Sequence, residues 1–340
     1  MRHARVRGTG RYLPTREVTN LDLAHDFGID TTDAWVRKRT GIAARRFADP
    51  GEGTATLATR AAEEALADAG MKAAELDLII AATLSPDRAF PGVGVDVQAN
   101  LGLPEAGRFV PCLDVRNQCS GFLYALSCGV AHIRGGLANR VLVVGAEVHS
   151  AALDLTTRGR QVSTLFGDGA GAVVLEASPS PGVLDVQLYA DGRHAEDLCQ
   201  QVWDMRRRPY ISLDDEGFGR VPPDHLYAHM NGPAVFRAAV EHMGQATRAM
   251  LDAHGMTVGD VDRFLFHQAN LRINRMVQQQ LGIPDAKALH HIDRYGNTTA
   301  ATIPILMAEG VREGQIVPGM HVLCSAFGAG FTWGAALMRW

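Results

Sequence analysis

The chain has 340 residues, of which 46% are hydrophobic and 21% are charged, a composition typical of one large or two fused globular domains. The formal net charge of −4 gives no global signal for nucleic-acid binding, although the runs "VRKRTG" and "MRRRPY" are locally basic. We interpret the second run as solvated arginines on a loop, and we expect neither nucleic acid nor a membrane as a partner.

The N-terminal stretch "MRHARVRGTGRYLP" lacks the apolar segment of a signal peptide, and no run reaches the roughly 18 apolar residues of a membrane span. The five cysteines are odd in number, and none has the spacing of a metal site. We therefore expect reduced thiols in a cytoplasmic protein.

The first clear element is an amphipathic helix in "EEALADAG" that ends at Gly70 and leads into the apolar strand "LDLIIAAT". The same order of helix, glycine and strand recurs in "TRAMLDAHG" and "DRFLFHQ". The identical positions, each 185 residues apart, are Gly70 and Gly255, Met71 and Met256, and Asp77 and Asp262.

Two further pairs of similar segments support an internal duplication. "LFGDGAGAVVLE" at 165–176 resembles "AFGAGFTWGAAL" at 326–337, and "LDVRNQCSGFLYAL" more weakly resembles "IDRYGNTTAATIPIL". The sequence therefore predicts two copies of one α/β unit, 1–180 and 181–340, related by a pseudo-twofold axis. The near-continuous apolar strands predict helices on both faces of the sheets, with functional groups near the ends of matched strands.

Cys119 lies between a strand-like and a helix-like run, either as a packing residue or as a nucleophile. We predict a helix that begins at Cys119, whose free N–H groups and positive dipole end favour the thiolate. The small residues Ser120 and Gly121 allow a bulky substrate to approach. The remaining cysteines are interpreted as core or loop residues: Cys112, Cys128, Cys199 and Cys324.

Two more polar residues follow predicted strands or turns. Taken alone, His267 after "FLF" is more typical of a structural residue, and Asn297 after Gly296 of a turn or a helix cap. The duplication changes this interpretation, because His267 matches Ala82 and Asn297 lies within one residue of the position matching Cys119. A thiol, an imidazole and a carboxamide that converge are suited to acyl transfer from a thioester.

At these residues the sequence resembles the thiolase superfamily, and within it the β-ketoacyl-acyl-carrier-protein synthase III family, over nearly the whole chain. The segments that carry the resemblance are "GTGRYLP", "WVRKRTGI", "AFPGVGVDVQANLG", "DVRNQCSGFLYAL", "TLFGDGAGAVVLE", "MNGPAVFRAAV", "FHQANLRI", "YGNTTAATIP" and "AFGAGFTWGAALMRW". The resemblance implies a thiolase-like fold with five layers, α-β-α-β-α, and a homodimer.

The resemblance also implies the reaction. Cys119 would take an acyl group from acyl-CoA, and malonyl-acyl carrier protein would then bind and lose CO2. His267 and Asn297 would stabilise the enolate, which attacks the acyl-Cys119 thioester. The tetrahedral oxyanion would accept hydrogen bonds from the backbone N–H groups of Cys119 and Ala329. No organic cofactor or metal is implied, since coenzyme A is part of a substrate.

Further site residues are implied only by the resemblance. Residues expected to bind coenzyme A are Trp35 and Arg39 at the adenine, Arg158 nearby, and Gly232, Phe236, Ala269 and Asn270 along the pantetheine tunnel. Arg272 would belong to the basic surface that docks the acidic carrier protein. Phe90 would close an acyl pocket, that of the partner subunit.

Two departures from the family pattern stand out. The usual triple glycine is "GAG" here, with Ala329 in the middle, a change that keeps the backbone N–H. The segment 191–229 is longer than expected, and its aromatic residues either widen the acyl pocket or anchor a surface loop.

Several alternatives remain. A degradative thiolase needs a second active-site cysteine, but Cys324 lies one residue too far from the glycines. An enzyme like hydroxymethylglutaryl-CoA synthase needs a glutamate beside the cysteine, and we interpret Glu147 and Glu196 as exposed and unconvincing. A relative from secondary metabolism that primes a polyketide or polyene, or acylates an alcohol or amine, remains open. A non-catalytic acyl-binding protein does not explain the intact set of Cys119, His267 and Asn297.

Overall fold

Five strands from the first half of the chain form one mixed sheet. The computed structural model describes residues 2–202, 206, 212–213, 219–220 and 223–340. The strands of this sheet are β1 (His3–Tyr12), β2 (Leu78–Ala82), β3 (Cys112–Val115), β4 (Arg140–Glu147) and β5 (Gly169–Ser178). Their order is β1-β5-β4-β2-β3, in which β4, β2 and β3 are parallel and β1 and β5 are antiparallel to their neighbours. The strand β3 therefore lies at one edge of the sheet.

Four strands from the second half form a second mixed sheet. They are β6 (Val183–Ala190), β7 (Arg263–Phe266), β8 (His321–Gly328) and β9 (Thr332–Arg339), in the order β7-β8-β9-β6. Only β7 and β8 are parallel. We propose that the gap between β5 and β6, which contains residue 180, separates the two duplicated halves.

Helices form three layers around the two sheets. The longer helices are α1 (Asp33–Thr40), α2 (Thr54–Ala69), α3 (Val93–Asn100), α4 (Gly121–Arg134), α5 (Gly232–Ala253), α6 (Leu271–Leu281) and α7 (Thr302–Arg312). The helices α4 and α7 lie between the two sheets. The largest apolar cluster lies there, and it contains residues of both sheets and of both helices. The helices α2 and α3 cover the outer face of the first sheet, and α5 and α6 cover that of the second. This order confirms the predicted five layers, α-β-α-β-α.

Shorter elements connect these layers. The short helices are Asn20–His25, Arg160–Ser163, Pro223–Leu226 and Ile292–Tyr295, and the short strand pairs are Arg16–Thr19 with Ala44–Phe47, Leu198–Cys199 with His229–Met230, and Ser212–Leu213 with Gly219–Arg220. The part of the chain that the structure describes contains no helix long and apolar enough to cross a membrane. Of the aromatic residues behind the proposed pocket-widening role of 191–229, Trp203, Tyr210 and Phe218 lie outside the described residues, as does most of the "MRRRPY" run, whereas Tyr227 is described and lies near Arg158.

The duplicated helix–glycine–strand unit has the geometry that the sequence predicts. The helix α2 ends at Ala69, and Gly70 follows with a left-handed φ of 63°. Near the end of α5, Gly255 has a φ of 60°. Each glycine redirects the chain toward a buried strand, β2 in the first half and β7 in the second.

Glycines in β1 set the spacing between the first sheet and α2. A Cβ atom at Gly10 would lie 2.3 Å from the Ala61 carbonyl oxygen and 2.3 Å from the Ala65 nitrogen. The helix face against β1 carries only small side chains, so the two backbones lie in direct contact. The "GTG" motif is therefore a packing feature of the outer layer.

We predict that Gly10→Ala lowers the free energy of unfolding by about 1–3 kcal/mol, because the new methyl group overlaps backbone atoms that cannot move independently. Gly192→Ala is the matched control, since a Cβ there meets no atom within 4 Å. Denaturant unfolding of both variants measures the difference. Equal stability of the two variants would contradict the described contact between β1 and α2.

Candidate active site

The connection between β3 and α4 places Cys119 in a tight turn in front of the helix. A 3-10 turn spans Gln118–Ser120, and α4 begins at Gly121. The predicted helix start at Cys119 is therefore wrong by two residues. Gln118 has a φ of 43°, a left-handed conformation that lets the chain turn from strand to helix.

The backbone N–H groups of Cys119 and Ala329 lie close enough to the Cys119 thiol to act on its pKa. Gly328 permits this approach, because a Cβ there would lie 2.9 Å from the Cys119 Cβ. The two N–H groups lower the pKa of the thiol, but burial and then the negative charge of Glu147 raise it to about 12. The N–H groups therefore favour the thiolate, as expected, but burial and Glu147 outweigh them.

His267 follows β7 and is 1% exposed. Its backbone N–H donates to the Ser325 carbonyl at 2.9 Å, and its Nδ1 lies 2.7 Å from the Thr302 hydroxyl oxygen. No hydrogen-bond partner of Nε2 is found among the described residues. Burial, followed by the influence of His291, lowers the pKa of His267 to about 3, so the imidazole is neutral near pH 7.

The Thr302 hydroxyl determines which ring nitrogen of His267 carries the proton. It also lies 3.0 Å from the Thr299 carbonyl oxygen. When the hydroxyl donates to that carbonyl, it accepts from Nδ1–H of His267, and Nε2 is a hydrogen-bond acceptor. When the hydroxyl rotates to donate to Nδ1, Nε2 carries the proton and becomes a donor. A neutral His267 is thus able to act as acceptor or donor.

Asn297 is 4% exposed and is held by residues of the first half. Its N–H donates to the Leu165 carbonyl at 2.8 Å, and its carbonyl accepts from Gly167 N–H at 3.1 Å. The Oδ1 atom accepts from Thr299 N–H at 2.8 Å. This bond makes Asn297 a turn residue, and it leaves the Nδ2 amide group as a donor with no bond to another described residue.

The three predicted catalytic residues meet through residues 299–302. A Cβ at Gly121, in the first turn after Cys119, would lie 3.5 Å from the Ala300 Cβ. Thr299 binds the side chain of Asn297, and Thr302 binds that of His267. The structure therefore brings the segments that carry Cys119, His267 and Asn297 together, as the sequence predicts.

The structure corrects our interpretation of Glu147 as an exposed residue. We interpreted it as exposed, but it is 0% exposed at the end of β4 and acts electrostatically on Cys119. Glu196 is exposed. An acidic residue at the end of an apolar strand was the available signal for Glu147. Thr302, which begins α7 five residues after Asn297, carried no such signal.

The adenine site implied by the resemblance is only partly as expected. The Arg39 guanidinium lies 4.5 Å from the centre of the Trp35 ring, and that of Arg160 lies 5.0 Å from it. Arg158 instead pairs with Asp154 at 2.5 Å, with its guanidinium 5.4 Å from the Tyr227 ring. The sequence reasoning missed Arg160, which follows Arg158 by two residues in "TTRGRQ".

The implied tunnel residues lie on neighbouring elements. Gly232 begins α5, and a Cβ there would meet no atom within 4 Å. The Arg272 guanidinium is 5.5 Å from the Phe236 ring. Asn270 caps α6 by accepting from Arg272 N–H at 2.9 Å, and its Nδ2 donates to the Arg39 carbonyl at 3.1 Å. Ala269 is half-buried, and it lies in sequence between Asn270 and the buried residues His267 and Gln268.

Phe90 is 84% exposed, so it closes no pocket within its own chain. Among the described cysteines, Cys324 is buried, the other four are partly accessible, and all are unpaired. No cluster of three or more His, Cys, Asp or Glu side chains within the described ranges could hold a metal ion.

Comparison with known proteins identifies the family of this chain. Residues 113–192 match the family model for 3-oxoacyl-[acyl-carrier-protein] synthase III, and residues 251–340 match the model for its C-terminal part. The chain is 45% identical over 340 residues to the β-ketoacyl-[acyl-carrier-protein] synthase III of Rhodospirillum rubrum, with 98% of each chain covered.

Solved structures give the same result. The 3-oxoacyl-[acyl-carrier-protein] synthase III of Aquifex aeolicus is 39% identical with a TM-score of 0.85, covering 99% of this chain and 100% of that one. The priming β-ketosynthase of the R1128 polyketide pathway is 33% identical with a TM-score of 0.87, covering 99% and 96%.

Proposed function

The chain belongs to the 3-oxoacyl-[acyl-carrier-protein] synthase III family, and on that premise we propose that it condenses an acyl-CoA with malonyl-carrier protein to start fatty-acid chains. It is an acyl-transferring condensing enzyme with a thiolase-like fold. The observation that best supports the residue roles is the meeting of the Cys119, His267 and Asn297 segments at residues 299–302.

The first step transfers the acyl group to Cys119. The thiol is neutral, so its proton must move as sulfur attacks the thioester carbonyl, and the unpartnered Nε2 of His267 is the proposed acceptor. The N–H groups of Cys119 and Ala329, which lower the pKa of the thiol, are the proposed donors to the tetrahedral oxyanion. The coenzyme A thiolate leaves and takes the proton back from His267.

The second step forms the carbon–carbon bond. The malonyl group loses CO2, and the enolate oxygen accepts hydrogen bonds from Nδ2 of Asn297 and from Nε2–H of His267. Rotation of the Thr302 hydroxyl toward Nδ1 supplies that tautomer of His267. The carbanion attacks the acyl-Cys119 carbonyl, the β-ketoacyl product leaves, and the Cys119 thiolate takes a proton from solvent.

These steps require a nucleophile and hydrogen-bond donors, so we propose that no organic cofactor or metal takes part and that coenzyme A enters as part of the acyl donor. All five thiols are unpaired. Since an acyl-transfer thiol must stay reduced, this supports work in a reducing compartment such as the cytoplasm.

Arginines near the proposed entrance support binding of anionic donors. Arg39 and Arg160 flank Trp35, and Arg272 lies beside Phe236 and the α6 cap. The bond from Asn270 to the Arg39 carbonyl connects the two groups. We assign Trp35, Arg39 and Arg160 to the nucleotide of coenzyme A, and Arg272 to docking of the acidic carrier protein.

An exposed apolar region around β3 supports a homodimer. Phe90 and Phe109 are each 84% exposed, and Leu113 in the edge strand β3 is 38% exposed. Large apolar side chains beside an unpaired strand edge are typical of a surface that another chain covers. Phe90 would then reach the acyl pocket of the partner subunit, next to the turn that carries Cys119.

A priming role in polyketide synthesis is the second candidate. The likeness to the R1128 priming β-ketosynthase favours it, because that enzyme matches nearly the whole chain. The two functions differ in the acyl chain and the carrier protein, so the loading experiment below separates them.

We predict that acyl-CoA adds its acyl mass to the peptide that contains Cys119. A panel from acetyl-CoA to dodecanoyl-CoA, followed by intact and peptide mass spectrometry, tests this, and the chain that loads fastest identifies the primer. Cys119→Ala should not load, whereas Cys199→Ala, which changes a partly accessible cysteine elsewhere, should load normally. Condensation by Cys119→Ala would overturn the mechanism. If Cys119 is acylated by acyl-carrier protein but not by acyl-CoA, the acyl donor is the carrier protein and not coenzyme A.

We predict that Asn297→Ala lowers malonyl-carrier decarboxylation by roughly 100-fold but leaves single-turnover acylation nearly unchanged, because only the enolate uses Nδ2. Thr302→Val should lower both steps by roughly 10-fold or more, because His267 loses its orientation and its choice of tautomer. Thr302→Ser keeps the hydroxyl and is the control. Rates of CO2 release and of acylation measure the two steps. Normal rates in Thr302→Val would rule out the proposed role of the Thr302 hydroxyl in orienting His267.

We predict that light scattering gives twice the chain mass of 36.6 kDa. Phe90→Asp places a charge in the proposed apolar contact and should shift the protein toward monomer. Leu137→Asp is the control, since Leu137 is 77% exposed at a different site. A dimer that survives Phe90→Asp, or one that Leu137→Asp disrupts equally, would contradict this surface.

A further inference from the structure

Glu147 is a buried carboxyl group surrounded by donors from two directions. From the turn after β2, it accepts from the Thr83 hydroxyl at 3.1 Å, from Leu84 N–H at 3.2 Å, and from Ser85 N–H and hydroxyl at 3.2 and 2.6 Å. From the opposite side, Ala300 N–H approaches at 3.5 Å. Glu147 therefore joins a turn of the first half to the segment that connects the catalytic residues.

The contact with Ala300 reaches the segment that orients Asn297. Thr299, directly before Ala300, donates its N–H to the Asn297 side chain, and its φ is 51°. A non-glycine residue in this left-handed conformation needs support from its surroundings. The Ala300 N–H bond to Glu147 and the bond between His149 Nε2 and the Thr299 hydroxyl provide that support from the same end of β4.

Glu147 lies on the same side of the molecule as the turn that carries Cys119, because Ala300 both approaches the Glu147 carboxyl group and packs against Gly121, two residues after Cys119. No lysine or arginine forms an ion pair with it in the part of the chain that the structure describes. Burial raises its pKa to about 7, whereas the donors from Ser85, Leu84 and Thr83 lower it. When ionised, it is the charge that raises the pKa of Cys119. Near neutral pH the carboxyl group is therefore partly ionised beside the thiol.

We propose that Glu147 is a positioning residue that couples the two half-reactions: its carboxyl group holds the turn that orients Asn297, and its negative charge restrains the reactivity of the Cys119 thiol. This inference rests on the proposed function of Cys119 and Asn297. A protonated Glu147 leaves the thiol more reactive, and an ionised Glu147 makes it less so. The hydrogen bond between Glu147 and Ala300 N–H holds the turn next to Thr299, and so keeps the Asn297 Nδ2 group in place for decarboxylation.

The elements packed around Glu147 and Cys119 carry other titratable groups. They are His149 after β4, Asp168 before β5, Asp87 after β2, His267 after β7 and Asp114 in β3. His149 and His267 are kept neutral by burial, which lowers the pKa of each to about 3. Asp168 accepts from Ala48, His149 and Ser150 N–H groups, and Asp87 and Asp114 accept from helix N-terminal N–H groups. Glu147 is the group whose charge changes near neutral pH beside Cys119.

The test is the rate at which iodoacetamide alkylates Cys119, followed on its peptide by mass spectrometry from pH 6 to pH 9. Above pH 7, Glu147→Gln should react roughly 3- to 10-fold faster than the unchanged protein, because removal of a negative charge lowers the pKa of the thiol. Below pH 7 the two rates should converge, since Glu147 is then protonated. Glu63→Gln removes one exposed carboxylate from α2 and is the charge-matched control.

Glu147→Asp separates the two roles. It keeps the charge but shortens the side chain, so alkylation should match the unchanged protein while decarboxylation of malonyl-carrier protein falls roughly 10-fold. If Glu147→Gln does not fold, Ser85→Ala tests the charge instead: it removes a donor that lowers the pKa of Glu147, so Cys119 should be alkylated faster than in the unchanged protein near pH 7. Glu147→Asp still tests the positioning role.

Equal alkylation of Glu147→Gln and the unchanged protein above pH 7 would overturn the proposal, as would normal decarboxylation in Glu147→Asp. A general loss of stability would expose the thiol and raise its alkylation at every pH, so it would not confine the difference to the range above pH 7. Alkylation requires neither acyl-CoA nor carrier protein. A failure of the proposed function would appear in the unchanged protein's condensation assay and is therefore distinguishable.

Discussion

The close approach of Ala300 to the first sheet is the contact on which the site depends. A Cβ at Gly145 in β4 would lie 2.3 Å from the Ala300 carbonyl oxygen, so only glycine allows this segment of the second half to sit against β4. Gly121, next to the nucleophile turn, receives Ala300 from another side. Because Thr299 and Thr302 flank Ala300, this one contact sets the positions of Asn297 and His267 relative to Cys119. The proposed catalytic residues from both halves are thus aligned by backbone packing before any substrate binds.

The groups at this junction are neutral, and burial explains why. Desolvation raises the pKa of Cys119 and lowers that of His267, so a thiol and an imidazole are stable there where an ion pair would not be. Charge develops only during the reaction, at an oxyanion or an enolate. In the proposed mechanism, donors already fixed by the fold, namely two backbone N–H groups and the Asn297 amide, interact with that charge without reorganising. The neutral state therefore belongs to the mechanism that the family implies.

Sequence reasoning predicted the layers, and it proposed Cys119, His267 and Asn297 as a group that the fold brings together, because both inferences follow from the duplication. Gly70 and Gly255 mark equivalent helix ends, and His267 lies at a strand end matched by Ala82. Side-chain surroundings could not be inferred in the same way. The burial of Glu147 depends on Thr83–Ser85 and Ala300, which are far from it in sequence, and apolar periodicity says nothing about such contacts.

Loop geometry was the other source of error. Arg160 rather than Arg158 approaches Trp35, because Asp154 pairs with Arg158 and directs it toward Tyr227. The 3-10 turn before α4 moved the helix start, since Gln118 has a backbone conformation that its residue type does not favour. In both cases the outcome depends on a local backbone path, and residue identity alone does not determine that path.

The exposed arginines around Trp35 and the buried residues around Cys119 respond differently to dissolved ions. At physiological ionic strength, charges on a protein surface are screened over about 8 Å, whereas buried groups are screened much less. Arg39 is exposed and Arg160 partly so, but His267 and Asn297 have almost no contact with solvent. If these arginines bind the donors as proposed, added salt weakens the capture of anionic thioesters and carrier proteins while the bond-making steps continue at their own rate. Ionic strength thus separates recognition at the surface from chemistry in the interior of this enzyme.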